Sequence, residues 1–183
     1  MAALVNQVEV WTVGHSTRPL EEFLEALQSF NIATLVDVRS FPGSRRYPQF
    51  NKDNLAASLQ TANIEYLHHP ELGGRRRARK DSTNIAWRNE GFRGYADYME
   101  TDSFRAAVEK LLALARGSRT AIMCAEAVWW RCHRSLISDY LKADGIEVTH
   151  VLAARKAEPH PYTSVARIID GELSYKALLA REL

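Results

Sequence analysis

The chain of 183 residues holds only two cysteines, no apolar run of membrane-spanning length and a formal net charge of just +2. Each shortage excludes something. Cys124 and Cys132 cannot build the multi-bridge framework of a small secreted domain, and with no secretion leader in view they read as thiols. No window approaches the roughly 18 uninterrupted apolar residues of a membrane helix. Met1 to Val10 lacks a basic region followed by an apolar stretch, so a cytoplasmic protein that does not enter membranes is expected. A charge this near zero gives no whole-molecule field to attract nucleic acid, and any such attraction must be local. Repeats and low-complexity tracts are also missing, apart from the basic run Arg75-Arg76-Arg77-Ala78-Arg79-Lys80.

What is present is ordinary globular composition, 46% apolar and 25% charged, in a length that suits a single domain spanning residues 1–183. Val8 to Val13 reads as a strand. Pro19 to Leu27 has helical spacing, with Thr17 or Arg18 near the cap, Pro19 in the first turn and Glu21 and Glu22 suited to the positive helix end. Thr34 to Val38 is a β-branched apolar run, followed by a helical pattern over Leu55 to Ala62. Ile64 to Leu67 reads as a third strand. A long polar stretch, helical segments near Tyr95–Met99 and Phe104–Ala115, and a fourth strand at Ala121–Cys124 come next. Arg134 to Leu141 then reads as a helix stopped by Gly145, and Glu147 to Val151 as a fifth strand. Strands alternating with helices predict a three-layer, Rossmann-like α/β fold around a mostly parallel sheet of about five strands. In the tail after Ala153 the pattern offers one short strand, Arg167–Ile169, and the tail's role, covering a site or joining two copies, stays open.

In an open parallel sheet ligands bind beyond the carboxyl ends of the strands. The residues falling there are His15 and Ser16, Asp37 and Arg39, His68, His69, Gly73 and Gly74, Cys124 and Glu126, and His150. Nucleophile, base, acid and cation types thus gather at one edge of one sheet. Taken singly each has a plainer reading: His15 as a turn histidine, Asp37 and Arg39 as a structural ion pair, the glycines as a hinge, Cys124 as a packed core residue.

Cys124 ends an apolar strand and faces a loop closed by Cys132, His133 and Arg134 at the next helix start, an environment that favours a thiolate. Cys124, Glu126, Cys132, His133, Arg134, His15 and Asp37 are therefore the candidate catalytic residues, and Ser16, Arg39, Gly73 and Gly74 the candidate substrate-binding ones. Arg131 and Arg134 stand too far after Cys124 for a cysteine-phosphatase loop. The run Leu35-Val-Asp-Val-Arg39 is similar to the strand that opens many rhodanese-like sulfurtransferase domains, which keeps sulfur transfer in view. Cys124, Cys132 and His133, with Glu126, could alternatively ligate zinc or iron. Gly73-Gly74 and the basic run suit phosphate, or nucleic acid with Trp87, Phe92 and Tyr95 stacking, although charge runs are more often solvated loops.

Gly14-His15-Ser16, Val36-Asp37-Val38-Arg39, Leu72-Gly73-Gly74, Tyr95 to Met99 and the pair Cys124-Ala125-Glu126 with Cys132-His133-Arg134 together resemble the bacterial and archaeal proteins grouped as domain of unknown function 488. The resemblance spans nearly the whole chain, and the cysteine pair of motifs is its most specific part. It implies an α/β fold with the site at these motifs and implies no reaction. Relatives often carry proline where this chain has Trp129 or Trp130, a difference that predicts a looser loop between the cysteines. The expectation is a thiol-dependent enzyme acting on a small anionic or nucleotide-like substrate. A partner- or nucleic-acid-binding module working through the basic loop, and a metal-dependent or redox-sensing protein that oxidises Cys124 to Cys132, are its rivals.

Overall fold

The computed structural model describes residues 8–177; residues 1–7, read above for a leader, and the end of the tail, 178–183, lie outside the described residues. The elements run β1 (Glu9–Gly14), α1 (Leu20–Ser29), β2 (Thr34–Asp37), α2 (Lys52–Thr61), β3 (Glu65–His68), α3 (Glu90–Met99), α4 (Asp102–Gly117), β4 (Thr120–Cys124), α5 (Arg134–Ala143), β5 (Glu147–Ala153), β6 (Lys156–Pro159), β7 (Arg167–Ile169) and β8 (Glu172–Ser174). The main sheet has six strands in the order β3-β2-β4-β1-β5-β6. The first five are parallel, and β6 turns back antiparallel on β5. This is the mostly parallel, Rossmann-like α/β arrangement that the alternation of elements predicts.

Side chains alternate across the pleat and split the core in two. Val10, Val36, Ile122 and Cys124 join one cluster with Tyr95 of α3, Phe104 and Leu111 of α4, and Leu136, Ile137 and Leu141 of α5. Trp11, Val13, Leu35, Ala121 and Met123 join the other with Phe23 and Leu27 of α1 and Leu55 and Leu59 of α2. Two helices therefore cover one face and three the other. Each fully buried Leu or Phe contributes roughly 1.5–3 kcal/mol, so these stripes, more than helix propensity, hold the layers together. The longest helix also receives a sequence-coded start, since Thr101 Oγ1 accepts from the Phe104 N–H at 3.2 Å.

Three expectations shift. Helix α1 begins one residue later than its proline, with Pro19 itself at the cap position and no side-chain cap from Thr17. The sixth strand escapes a pattern reading because β6 is a short, charged edge strand, where Pro159 is tolerated for want of a neighbour on that side. The short strand Arg167–Ile169 does form, but it pairs with β8 in a separate hairpin across Asp170 and Gly171, both at positive φ (52° and 84°), the turn that matches strand twist.

Candidate active site

The strand order creates a crevice. From β1 the chain leaves through α1 on one face of the sheet, and from the adjacent β4 it leaves through α5 on the other, so the two loops part at their shared carboxyl end. Backbone bonds carry the parallel ladder past the strands: the His15 N–H donates to Cys124 O at 3.1 Å and the Ser16 N–H to Ala125 O at 2.9 Å. Ser16 adopts φ 52°, a left-handed conformation that a non-glycine residue holds at a cost. Gly14 has no room for a side chain, because a Cβ there would lie 1.8 Å from Glu126 O and 2.7 Å from an Arg134 nitrogen. The glycine lets the cysteine loop lie directly on β1.

Asp37, fully buried at the end of β2, grips Arg39 with both oxygens: Nε donates to Oδ1 at 2.9 Å and an Nη to Oδ2 at 2.6 Å. The Arg39 backbone N–H (3.0 Å) and the Tyr66 hydroxyl (2.7 Å) also donate to this carboxylate. The same Nη donates to Phe50 O at 2.8 Å, and the other meets His15 Nε2 at 3.1 Å. Since His15 Nδ1 lies 2.9 Å from Ser16 O, the ring carries its proton on Nδ1 and accepts from Arg39 through Nε2. His15 and Asp37 thus act on Arg39 and do not reach the open cleft. His68, through Nε2, bonds Arg39 O at 2.8 Å and holds the backbone.

Cys124 and Cys132, read from the sequence as thiols with their proximity left open, are brought together, their sulfurs in direct contact as a disulfide pair. Arg134, at the first residue of α5, is 2% exposed, and its guanidinium lies 3.7 Å from Cys124 Sγ and donates to Ala127 O at 3.0 Å. No carboxylate stands within salt-bridge distance of it among the described residues, and its Nε is buried without a partner. Burial, then repulsion from Arg18, lowers it to about 9 against the pull of Glu126, so it stays charged at neutral pH. His133 Nδ1 lies 3.6 Å from Cys132 Sγ. Its Nε2 is buried and unpartnered, and the Gly74 backbone closes against the ring, where a Cβ would come within 2.5 Å of Nδ1.

These groups open onto a cleft of about 340 Å³ lined by Arg39, Gly74, Cys124, Glu126, Cys132 and His133 among others. Six predicted site residues therefore share one cavity wall. Glu126 is exposed on it. Ser16, Gly73 and the described tail do not contribute to the wall; Gly73 packs against Ser40, where a Cβ would fall 2.3 Å from Oγ. Arg75 and Phe92, read from the sequence as phosphate-binding and stacking candidates, also line the cleft, as do Phe41 and Arg131, which were not singled out because aromatics and charges on long loops carry no periodicity.

The basic run divides. Arg76 folds back over the Tyr98 ring at 3.6 Å and donates to Glu71 O and Gly73 O. Arg79 pairs with Glu100 at 2.6 Å, and its backbone N–H donates to Asp97. Only part of the run remains to face a phosphate backbone. Of the metal reading, no group of three or more His, Cys, Asp or Glu side chains is placed to hold an ion among the described residues, and the two sulfurs are engaged with each other.

A buried polar chain lies behind the cysteine loop, and sequence reading reached only its His150. Thr12 Oγ1 meets His150 Nδ1 at 2.6 Å, His150 Nε2 meets His160 Nδ1 at 2.8 Å, and His160 Nε2 meets Asp139 Oδ1 at 3.0 Å. Thr163 and the Tyr175 hydroxyl complete the shell of Asp139. Trp129 stacks flat on His150 at 4.6 Å and donates to Glu158 at 2.8 Å. The loop expected to be loosened by a missing proline is in fact anchored by the tryptophan standing there.

Burial pushes His15 and His133 down to about 4, and burial followed by His160 pushes His150 down to about 2, from an ordinary 6.5. The unfolded chain takes up these protons near pH 6.5 while the folded chain refuses them, so stability is level above about pH 7 and falls as pH drops from 6.5 toward 4. Each group contributes up to about 1.4 kcal/mol per pH unit in that window. Calorimetry should show Tm declining between pH 7 and 5, before carboxylates titrate, with a shallower decline in His15→Gln. A flat Tm across that window is the contrary result.

The fold and this edge of the sheet define an α/β protein with a cysteine-centred cleft at a topological switch point. Residues 19–141 match the family described as Domain of unknown function DUF488, and the chain belongs to that family. No curated protein and no solved structure gives a significant match. No helix among the described residues is long and apolar enough to cross a membrane.

Proposed function

We propose that the chain is a thiol-dependent enzyme in which Cys124, in its reduced form, is the nucleophile toward a small anionic substrate. The observation that carries this reading is Arg134: a guanidinium 2% exposed, without a carboxylate partner among the described residues and set against the Cys124 sulfur. An unpaired buried cation is costly, and a thiolate at Cys124 would offset that cost. The amino end of α5 adds to the same field. Glu126 and His133 are the proton-transfer candidates; Glu126 is exposed to solvent, and His133, neutral at pH 7, offers Nδ1 as a hydrogen-bond acceptor to Cys132. Arg39, held by Asp37 and His15, presents a fixed positive edge, and the exposed Arg75 and Arg131 bring further positive charge to the rim. A cytoplasmic location, where thiols stay reduced, fits this chemistry.

The test is alkylation of reduced protein by iodoacetamide across pH. Wild type and Cys132→Ser are expected to show a fast-reacting thiol already labelled at pH 6, and Cys124→Ser to lack it while its Tm stays within about 2 °C of wild type, as for a mild core change. A Cys124 that labels only above about pH 8, like a free thiol, together with a large drop in Tm for Cys124→Ser, would return it to the role of a packed core residue.

A further inference from the structure

Resting on that reading, we infer that Cys132 is the resolving thiol of a two-step exchange and that the substrate is a negatively charged disulfide. The two sulfurs bond directly across the loop, line one open cleft and stand among different neighbours. Cys124 has the Arg134 guanidinium at 3.7 Å, which favours its thiolate as the attacking group. Cys132 has the neutral imidazole of His133 at 3.6 Å, whose Nδ1 can accept a hydrogen bond from the thiol and so leaves Cys132 the less ionised of the pair.

The chemistry balances without a cofactor. The Cys124 thiolate attacks one sulfur of R–S–S–R, forming Cys124–S–S–R and releasing RS⁻. The Cys132 proton is lost to solvent in the open cleft, and the Cys132 thiolate attacks Cys124 Sγ, expelling the second RS⁻ and closing the Cys124–Cys132 bond. The disulfide substrate is reduced by two electrons, the dithiol is oxidised by two, and an external thiol reductant restores it.

The rim selects the substrate. Arg75 and Arg131 are exposed, neither has a carboxylate within 4.0 Å among the described residues, and Arg75 lies over the Phe41 ring at 5.3 Å. Phe41, 71% exposed, and Phe92 give the same wall a flat apolar surface. A ring or chain carrying a carboxylate or phosphate beside its disulfide suits both features.

The probe is 5,5′-dithiobis(2-nitrobenzoate), an aromatic, anionic disulfide, with uncharged 4,4′-dithiodipyridine for comparison, both added to fully reduced protein and followed by absorbance and intact mass. Wild type is expected to release two thiolates and keep no adduct. Cys132→Ser should release one and retain a mixed disulfide at Cys124, and Cys124→Ser should lose the fast phase. Arg75→Ala with Arg131→Ala should slow the anionic probe at least about fivefold more than the neutral one, a loss that salt mimics in wild type. A retained adduct on wild type, or fast attack from Cys132 in Cys124→Ser, overturns the resolving role while leaving a reactive Cys124 intact. Equal slowing of both probes overturns the anionic substrate. Absence of any fast thiol removes both this inference and the thiol reading beneath it.

Discussion

Arg134→Met is expected to slow alkylation of Cys124 at pH 6 by at least about tenfold, the equivalent of about 1.4 kcal/mol of lost thiolate stabilisation, and to shift the labelling profile to higher pH. The reason is positional. The guanidinium is buried, so solvent screens it little, and Cys124 Sγ lies 3.7 Å away with no carboxylate within salt-bridge distance among the described residues. Methionine approximates the stem but carries no charge. Stability should move far less than reactivity, by about 2 kcal/mol at most and in either direction, because removing a buried cation relieves desolvation while freeing the Ala127 carbonyl and the Cys124 sulfur. Iodoacetamide kinetics and a thermal melt on one preparation separate the two effects. An unaltered labelling profile would show that Arg134 serves packing alone.

The largest loss of stability is expected from Asp37→Ala, at about 3–5 kcal/mol, because it strands the Arg39 guanidinium in a site only 9% exposed. For a chain of this size that corresponds to a Tm drop on the order of 10 °C. Four donors lose their acceptor at once: the Arg39 backbone N–H, its Nε, an Nη and the Tyr66 hydroxyl. Adding Arg39→Met on the same background should recover part of the loss, since the second change removes the stranded charge. Additive losses in the double variant would mean that the pair is not coupled. The same comparison tests whether His15, bonded to Arg39 and stacked on Phe50 at 4.3 Å, relies on this ion pair for its place.

Much of this architecture is legible along the chain because it is periodic. Thr34-Leu-Val-Asp37 reads as a buried strand and is one, all four residues being covered. The helical spacings near Phe104 and Arg134 mark α4 and α5, with bounds shifted by a few residues. The candidate site follows from one rule, that chemistry collects after parallel strands, and the rule brings Arg39, Gly74, Cys124, Glu126, Cys132 and His133 to one cleft. It cannot rank them. Asp37 and His15 carry the right chemical types, yet they serve Arg39 from behind. In the basic run Arg76 is spent on Tyr98 and Arg79 on Glu100, whereas Arg75 reaches the cleft, a division that depends on which way each side chain leaves an irregular loop.

By itself the sequence determined the α/β class, the parallel strands and the edge of the sheet where the reactive residues gather, because burial forces periodic patterns and parallel strands all end on one side. Only the tertiary structure decided that the two sulfurs meet, that Arg134 is a buried cation without a carboxylate among the described residues, and that Trp129 anchors the loop on a buried Thr12–His150–His160–Asp139 chain. Those facts join residues far apart along the chain, as Thr12 and His150 are, and no local pattern encodes them: they are set by how two faces of one sheet are covered and by where neighbouring loops part.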